Sequence, residues 1–170
     1  MRRTRELTAA VLIPLVLLLL VKGPLWGWAL LAGLACGAAL WEFQGLVRAS
    51  GWLVPRALSL VLFAAILAAA YLGSAPLLVA AAGGVLIALP TAVLLAAPKE
   101  PVWLGSAAST SFATLYVGAG GAAVIALRAI GWEPVLFLLG IVWAGDSAAY
   151  YVGTKLGRRR LSPVVSPKKS

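Results

Sequence analysis

Carboxylates are the residues of this sequence best suited to acid–base or metal chemistry, and there are few of them. The 170-residue chain contains five: Glu6, Glu42, Glu100, Glu133 and Asp146. It contains no histidine, which removes histidine general bases and the commonest transition-metal ligand. Its single cysteine, Cys36, can form neither an intrachain disulfide nor a cysteine cluster. Acid–base or Mg²⁺ chemistry confined to this chain must therefore use the five carboxylates.

Asp146 is the candidate catalytic residue, because it lies within an apolar run that is long enough to cross a membrane. An Asp near the centre of a membrane helix costs about 2.5–3.5 kcal/mol on insertion scales, so it usually faces a partner or a wet cavity. At helical spacing Asp146 shares a face with Trp143, Tyr150 and Gly153. The alternative is a structural Asp that is hydrogen-bonded to a neighbouring helix.

A basic segment, residues 154–170, begins eight residues after Asp146 and contains six Lys or Arg residues. Two Ser-Pro steps favour extended or turn geometry within it. The hydroxyl of Ser166 and the ammonium groups of Lys168 and Lys169 are donors suited to binding a phosphate at a membrane surface. The alternative, which needs no catalytic site, is a topology anchor or a contact with anionic lipids.

Other polar residues in apolar surroundings are weaker candidates. Glu42 is predicted near the end of the second helix, where its side chain could reach the interface beside Arg48. A stripe of hydroxyl residues in the fifth apolar run could line a polar cavity, although interhelical packing is the favoured interpretation. Its members are Ser106, Thr110 and Thr114, with Ser109 and Ser111 beside them. Gly33-x-x-x-Gly37 predicts close helix packing and indicates no chemistry.

The composition requires that these side chains be positioned by membrane helices. The chain is 62% hydrophobic and 11% charged, with a mean hydropathy of +1.01. Ordinary globular domains are about half apolar and about a quarter charged. The composition therefore disfavours a soluble enzyme, a disordered tail and a nucleic-acid-binding protein. It predicts an all-α bundle of six transmembrane helices, near residues 7–21, 25–47, 57–72, 76–97, 104–127 and 134–153.

The distribution of positive charge predicts the orientation of this bundle. With six spans and a cytoplasmic N-terminus, twelve Lys and Arg residues fall on the cytoplasmic side and two, Lys22 and Arg128, on the other. This agrees with the positive-inside rule and places both termini in the cytoplasm, so that residues 154–170 form a cytoplasmic basic segment. The rival for the first span is a cleaved signal peptide, but Val21-Lys22-Gly23-Pro24 does not resemble a cleavage site.

The region from residue 143 to residue 170 resembles a known enzyme family. Its pattern is Trp143-x-x-Asp146-x-x-Ala149-Tyr150-x-x-Gly153, followed by Gly157, Leu161-x-Pro163 and Ser166-Pro167-Lys168-Lys169-Ser170. This pattern is similar to the central region of the phosphatidate cytidylyltransferases, also called CDP-diglyceride synthases. Weaker marks of resemblance are the N-terminal Arg run, Glu42-Phe43 and Tyr116-Val117-Gly118.

The resemblance implies a polytopic helical enzyme of a bacterial inner membrane that makes CDP-diacylglycerol and pyrophosphate from CTP and phosphatidate. It implies Mg²⁺ dependence, contact with membrane lipids and a site facing the cytoplasm, and it leaves a homodimer open. Ser166, Lys168 and Lys169 take substrate-binding roles by the resemblance, and Arg160 is assigned with them. Asp146 matches the family's Asp and is carried over as a catalytic residue, without an assigned metal contact.

One departure from the family pattern concerns the metal site. The family's signature, with its Lys-Asp and Asp-Arg-x-Asp carboxylates, follows the Ser-Pro-Lys-Lys motif and is not found in these 170 residues. We therefore expect this chain to be the N-terminal part of such an enzyme and to be inactive alone. Two alternatives stay open: a membrane protein without catalysis, such as a transporter fragment or an assembly subunit, and a related CTP-dependent lipid kinase.

Overall fold

The described part of the chain forms six α-helices, and their bounds lie within three residues of the predicted spans except at the first helix, which starts earlier. The computed structural model describes residues 2–96 and 102–156, with side chains from 12 to 96 and from 102 to 155, and no strand occurs in these ranges. The helices are α1 (Arg2–Lys22), α2 (Leu25–Ala49), α3 (Arg56–Tyr71), α4 (Ala75–Ala96), α5 (Val102–Ile130) and α6 (Glu133–Leu156). The predicted all-helical fold is thus confirmed.

Proline and glycine mark the ends of the first three helices. Pro24 and Pro55 occupy the positions before α2 and α3, where a missing backbone N–H costs no helical hydrogen bond. Gly51 follows α2 with a φ of +84°, and Gly73 follows α3 with a φ of +64°. Both angles lie in the left-handed region that glycine adopts without a Cβ penalty, so these two residues allow the chain to turn.

Four helices are long and apolar enough to cross a bilayer, which identifies a membrane protein. They are Leu25–Ala49, Ala75–Ala96, Val102–Ile130 and Glu133–Lys155. Two shorter apolar helices, Leu12–Lys22 and Arg56–Tyr71, accompany them in the described part of the chain. The 16 residues of α3 extend about 24 Å, somewhat less than a hydrocarbon core of about 30 Å. Six crossings and cytoplasmic termini stay predictions.

The chain divides into two compact units, Met1–Trp132 and Glu133–Ser170. In the first unit α5 is central, because it packs against α2, α3 and α4. Two apolar clusters hold these helices together. One contains Ala32, Leu40, Phe63, Leu67, Ala113 and Ile125, and the other contains Ile66, Val85, Leu89 and Ala122. The large apolar side chains left exposed, such as Val79, Leu95 and Ile130, suit a surface that faces lipid.

Two glycines of α5 let this helix approach α3 closely. A Cβ built on Gly118 would lie 3.0 Å from Ile66 Cδ1, and one built on Gly121 would lie 2.8 Å from Leu67 Cδ2. The predicted small-residue pair of α2 makes ordinary contacts instead, since a Cβ on Gly33 would meet Leu67 at 3.4 Å. Close packing at α5 therefore depends on residues that lack a side chain.

Replacement of Gly121 by leucine should separate α5 from α3. The added side chain overlaps Leu67 and also meets Cys36 Sγ, which is 3.4 Å from the added Cβ. Overpacking of this kind costs about 1–3 kcal/mol of unfolding free energy. Thermal unfolding in detergent measures the loss. Gly120→Leu is the matched control, because a Cβ at that position meets nothing within 4 Å. Equal stability of the two variants would contradict the packing.

Candidate functional site

Asp146, the predicted catalytic residue, lies near the middle of α6, in the second unit. Its side chain is exposed, as are those of Trp143 and Tyr150 on the same helical face. At the end of this face Thr154 Oγ1 donates a hydrogen bond of 2.8 Å to the Tyr150 carbonyl oxygen. Tyr150 also makes an edge-on contact with Tyr151, with their ring centroids 5.5 Å apart. The helix thus presents one carboxylate between aromatic side chains.

The predicted substrate-binding residues, Arg160, Ser166, Lys168 and Lys169, lie outside the described residues. Their association with Asp146 therefore stays a prediction. Lys155 is the last described cation before them, and its Nζ lies 5.9 Å from the centroid of the Tyr151 ring. This distance is within the range of a cation–π contact.

A buried chain of hydrogen bonds joins three helices of the first unit. Thr114 Oγ1 donates its one hydrogen to the Thr110 carbonyl oxygen at 2.7 Å. Ser59 must then donate to Thr114 Oγ1, also at 2.7 Å, and Gln44 Nε2 donates to Ser59 Oγ at 2.6 Å. Gln44, Ser59 and Thr114 are each 0% exposed. The chain of bonds therefore runs in one direction, from α2 through α3 to α5.

The hydroxyl stripe of α5 is used for packing, the interpretation that the sequence favours. Ser106, Thr110 and Thr114 are buried, and each donates to the carbonyl oxygen four residues earlier in its own helix. Ser106 Oγ also accepts a hydrogen bond of 3.0 Å from the backbone N–H of Leu53. All three hydroxyls thus use their hydrogens within α5, and Ser106 and Thr114 also accept bonds from other segments. The buried hydroxyl of the neighbouring Ser111 has no partner among the described residues.

Replacement of Ser59 by alanine should lower the stability of the first unit by about 1 kcal/mol, because it leaves the Gln44 amide without its acceptor. Detergent unfolding measures the change. In a double-mutant cycle, Gln44→Leu should cost less in the Ser59→Ala background than in the wild type. Thr91→Ala is the control, because the exposed Thr91 hydroxyl donates its hydrogen to the Ile87 carbonyl oxygen of its own helix. Additive costs in the cycle would argue against the hydrogen-bond chain.

Two arginines lie where α2 ends and α3 begins, and one of them contacts a tryptophan of α2. The Arg56 guanidinium lies 4.3 Å from the centroid of the Trp41 ring, and Arg48 Nη2 donates a hydrogen bond of 3.1 Å to the Val54 carbonyl oxygen. With Pro55 and Leu58 they line a cavity of about 710 Å³, which we call the arginine pocket. Glu42, expected to extend toward the interface beside Arg48, is exposed and does not line this pocket.

Metal ligands are sparse within residues 2–96 and 102–156. These ranges contain no group of three or more His, Cys, Asp or Glu side chains that could hold a metal ion. Magnesium prefers about six oxygen ligands in octahedral geometry and usually uses one or two carboxylates with waters and substrate phosphates. Asp146 alone could be one such carboxylate. Among the described residues Asp146 therefore belongs to no group of three ligand side chains.

Sequence reasoning overlooked both the hydrogen-bond chain and the arginine pocket. Gln44 carried a usable signal, because an amide within an apolar helix is costly in a bilayer without a partner. Ser59 and Trp41 carried none, because serine and tryptophan are common in membrane helices. Their partners are set by how the helices pack together, which the one-dimensional pattern does not specify.

The amino-acid sequence matches a known protein family. A model of the cytidylyltransferase family matches residues 3–170, almost the whole chain. This chain belongs to the cytidylyltransferase family. The match includes α6 with Asp146 and the basic segment, so it covers every site residue that the sequence predicts. The family resemblance expected from the sequence is confirmed.

Curated relatives of this cytidylyltransferase-family chain are phosphatidate cytidylyltransferases. The protein from Staphylococcus epidermidis is 40% identical over 55 residues, which make up 32% of this chain and 21% of the relative. The protein from Haemophilus influenzae is 50% identical over 36 residues, 21% of this chain and 12% of the relative. The aligned part thus spans about a fifth or less of these relatives. No solved structure matches the chain significantly.

Proposed function

We propose that this protein is a phosphatidate cytidylyltransferase, which converts CTP and phosphatidate into CDP-diacylglycerol and pyrophosphate. The observation that carries the proposal is the family match over residues 3–170. The names of the curated relatives supply the substrate, and the apolar helices suit an enzyme whose substrate is a membrane lipid. In the proposed reaction a phosphate oxygen of phosphatidate attacks the α-phosphorus of CTP, and pyrophosphate leaves as the bond to the β-phosphate breaks.

The basic segment supplies the cations that this reaction needs. Negative charge accumulates on the non-bridging and leaving oxygens, so stabilisation by positioned cations contributes much of the catalysis. We assign Lys168 and Lys169 to phosphate binding, Arg160 to a further phosphate contact and Ser166 to a supporting hydrogen bond. These donors would act on two anionic substrates, of which one is held in the leaflet.

Asp146 has a different role in the proposal. A carboxylate cannot stabilise the developing negative charge directly, but it can hold a cation or orient a lysine ammonium that does so. Its place between Trp143 and Tyr150 on an exposed face of α6 leaves it accessible for this role. Magnesium, which the family resemblance implies, would neutralise triphosphate oxygens when bound, and we assign it no ligand among the described residues.

The site is proposed to lie at the cytoplasmic face of a bacterial inner membrane. The support is the charge count, in which twelve of fourteen Lys and Arg residues fall on one side of a six-span topology. On that side the basic segment would meet CTP from the cytoplasm, while the phosphate of phosphatidate lies at the same surface.

The choice of acceptor lipid tests this function. The protein is purified from its native cells at its native length and is supplied with CTP and either phosphatidate, diacylglycerol or a polyprenol. The products are identified by mass spectrometry. We expect CDP-diacylglycerol from phosphatidate and no product from the other two lipids. Phosphorylated diacylglycerol or polyprenol would instead identify a CTP-dependent kinase. Absence of any CTP-dependent product would favour a membrane protein without catalysis.

A further inference from the structure

The arginine pocket is not used by the proposed reaction, and its composition suits an anionic amphiphile. Arg48 and Arg56 lie where α2 ends and α3 begins, and Trp41 lies about two turns earlier in α2. The end of a membrane helix is the level at which lipid headgroups lie. We propose that the arginine pocket binds the phosphate of an anionic phospholipid headgroup. The proposal needs neither the catalytic assignment nor a chosen membrane orientation.

The hydrogen-bonding capacity of Arg56 supports this ligand. Its guanidinium lies over the Trp41 ring, an arrangement that holds the planar group while its in-plane N–H groups can still donate. Arg56 Nε is buried and has no hydrogen-bond partner among the described residues. A guanidinium N–H without an acceptor is costly away from water, so a phosphate oxygen bound to this guanidinium would offset part of that cost. Phosphate oxygens match guanidinium donors in geometry and charge.

Arg48 provides the second cation and is held in place by a hydrogen bond to the backbone. One of its donors bonds the Val54 carbonyl oxygen, which fixes the side chain over the turn between the helices and leaves its other N–H groups available. The residues that line the pocket include no carboxylate. No acidic side chain of the lining therefore competes with an incoming anion for the two guanidinium groups.

The apolar part of the pocket favours a lipid over free phosphate. Val54, Pro55 and Leu58 complete its wall, and Val61, one turn further along α3, is 65% exposed. A glycerophospholipid has the matching arrangement, with a phosphate beside apolar chains that run into the bilayer. Inorganic phosphate would use the arginines and leave these surfaces uncovered, so the wall gives a lipid additional contact area.

Lipid binding to the detergent-purified protein tests the proposal, with native mass spectrometry as the readout. The probes are dioleoyl phosphatidylglycerol, which is not a substrate of the proposed reaction, and dioleoyl phosphatidylcholine, which has the same chains and no net charge. We expect preferential binding of phosphatidylglycerol. Arg48→Gln and Arg56→Gln should each weaken it about tenfold, the usual worth of a charge-assisted hydrogen bond. Lys22→Gln, a matched exposed cation at the end of α1, should leave it unchanged.

Several outcomes would overturn this proposal. One is equal binding of phosphatidylglycerol and phosphatidylcholine, and another is unchanged affinity for phosphatidylglycerol in both Gln variants. A third is a loss of affinity in Lys22→Gln as large as in the arginine variants, which would indicate a general charge effect. Displacement of the lipid by millimolar inorganic phosphate would assign the pocket to free phosphate. If a Gln variant fails to fold, Arg56→Lys replaces it, because lysine keeps the charge without the planar fork. Retained affinity in Arg56→Lys would also count against the proposal. Since no readout involves turnover, these results are independent of the proposed function.

Discussion

Replacement of Lys168 by alanine should lower the turnover of CTP and phosphatidate at least about 100-fold in the protein purified from its native cells. The proposed ammonium contact becomes stronger as charge develops on the phosphate oxygens, so its loss affects the transition state more than the bound substrates. Removal of one such donor elsewhere typically costs a factor of about 100–1,000 in turnover. Lys169→Ala should have a comparable effect. The double variant should lose less than the product of the two factors, because the residues act on one group.

Initial rates with saturating CTP and phosphatidate measure this effect. Lys22→Ala is the control for loss of one positive charge, since Lys22 is an exposed residue at the opposite end of the predicted topology. Lys168→Arg should recover part of the rate, because it keeps the cation with a different shape. If Lys168→Ala and Lys169→Ala both kept normal turnover, the basic segment would be a topology anchor or a lipid contact, as composition alone suggests.

Replacement of Asp146 by asparagine should also lower turnover by about 100-fold or more, and it should do so without loss of stability. The substitution keeps the shape of the side chain and removes the charge that would hold a cation or orient a lysine. A charged aspartate near the centre of a membrane helix costs about 2.5–3.5 kcal/mol on insertion scales, so a neutral amide in its place should insert at least as well. Turnover should therefore fall, whereas the unfolding temperature should stay the same or rise.

This pair of measurements separates the catalytic interpretation of Asp146 from the structural one. If Asp146 only makes a hydrogen bond to another helix, its replacement should lower the unfolding temperature, and activity should fall in proportion to the folded fraction. Glu133→Gln is the control, because Glu133 is an exposed carboxylate in the first turn of the same helix. Normal turnover in Asp146→Asn, with Glu133→Gln also active, would remove Asp146 from the site.

The helices of this protein could be predicted closely because bilayer helices leave strong marks in a sequence. Apolar runs interrupted by Gly23-Pro24 and by the turn before Arg56 gave bounds near those of α2 and α3. The glycines were less informative. Gly33 and Gly37 carry the GxxxG spacing, yet α3 lies closer to Gly118 and Gly121 of α5 than to either of them. The spacing of glycines within a helix shows that another helix can pack closely against it. Where the close contact forms depends on the partner helix.

The candidate sites divide in the same way. Asp146 was predicted because a carboxylate is conspicuous in an apolar run, and the resemblance added the basic segment around it. The contacts between Gln44 and Ser59 and between Trp41 and Arg56 cross from α2 to α3 and join residues 15 positions apart in each case. The amide of Gln44 signals that a partner is needed, but the sequence does not identify the partner of Gln44 or of Trp41. These contacts become visible only when the packing of α2 against α3 is known.

The proposed function is tested most directly by finding which phosphorus atom of CTP reaches the lipid. The protein as its cells produce it is incubated with phosphatidate and with CTP that carries ³²P at either the α or the γ position, and the lipids are extracted. A cytidylyltransferase transfers the α-label to CDP-diacylglycerol and leaves the γ-label in water-soluble pyrophosphate, and this is the result we predict. Transfer of the γ-label to lipid, or of neither label, would contradict the proposed function.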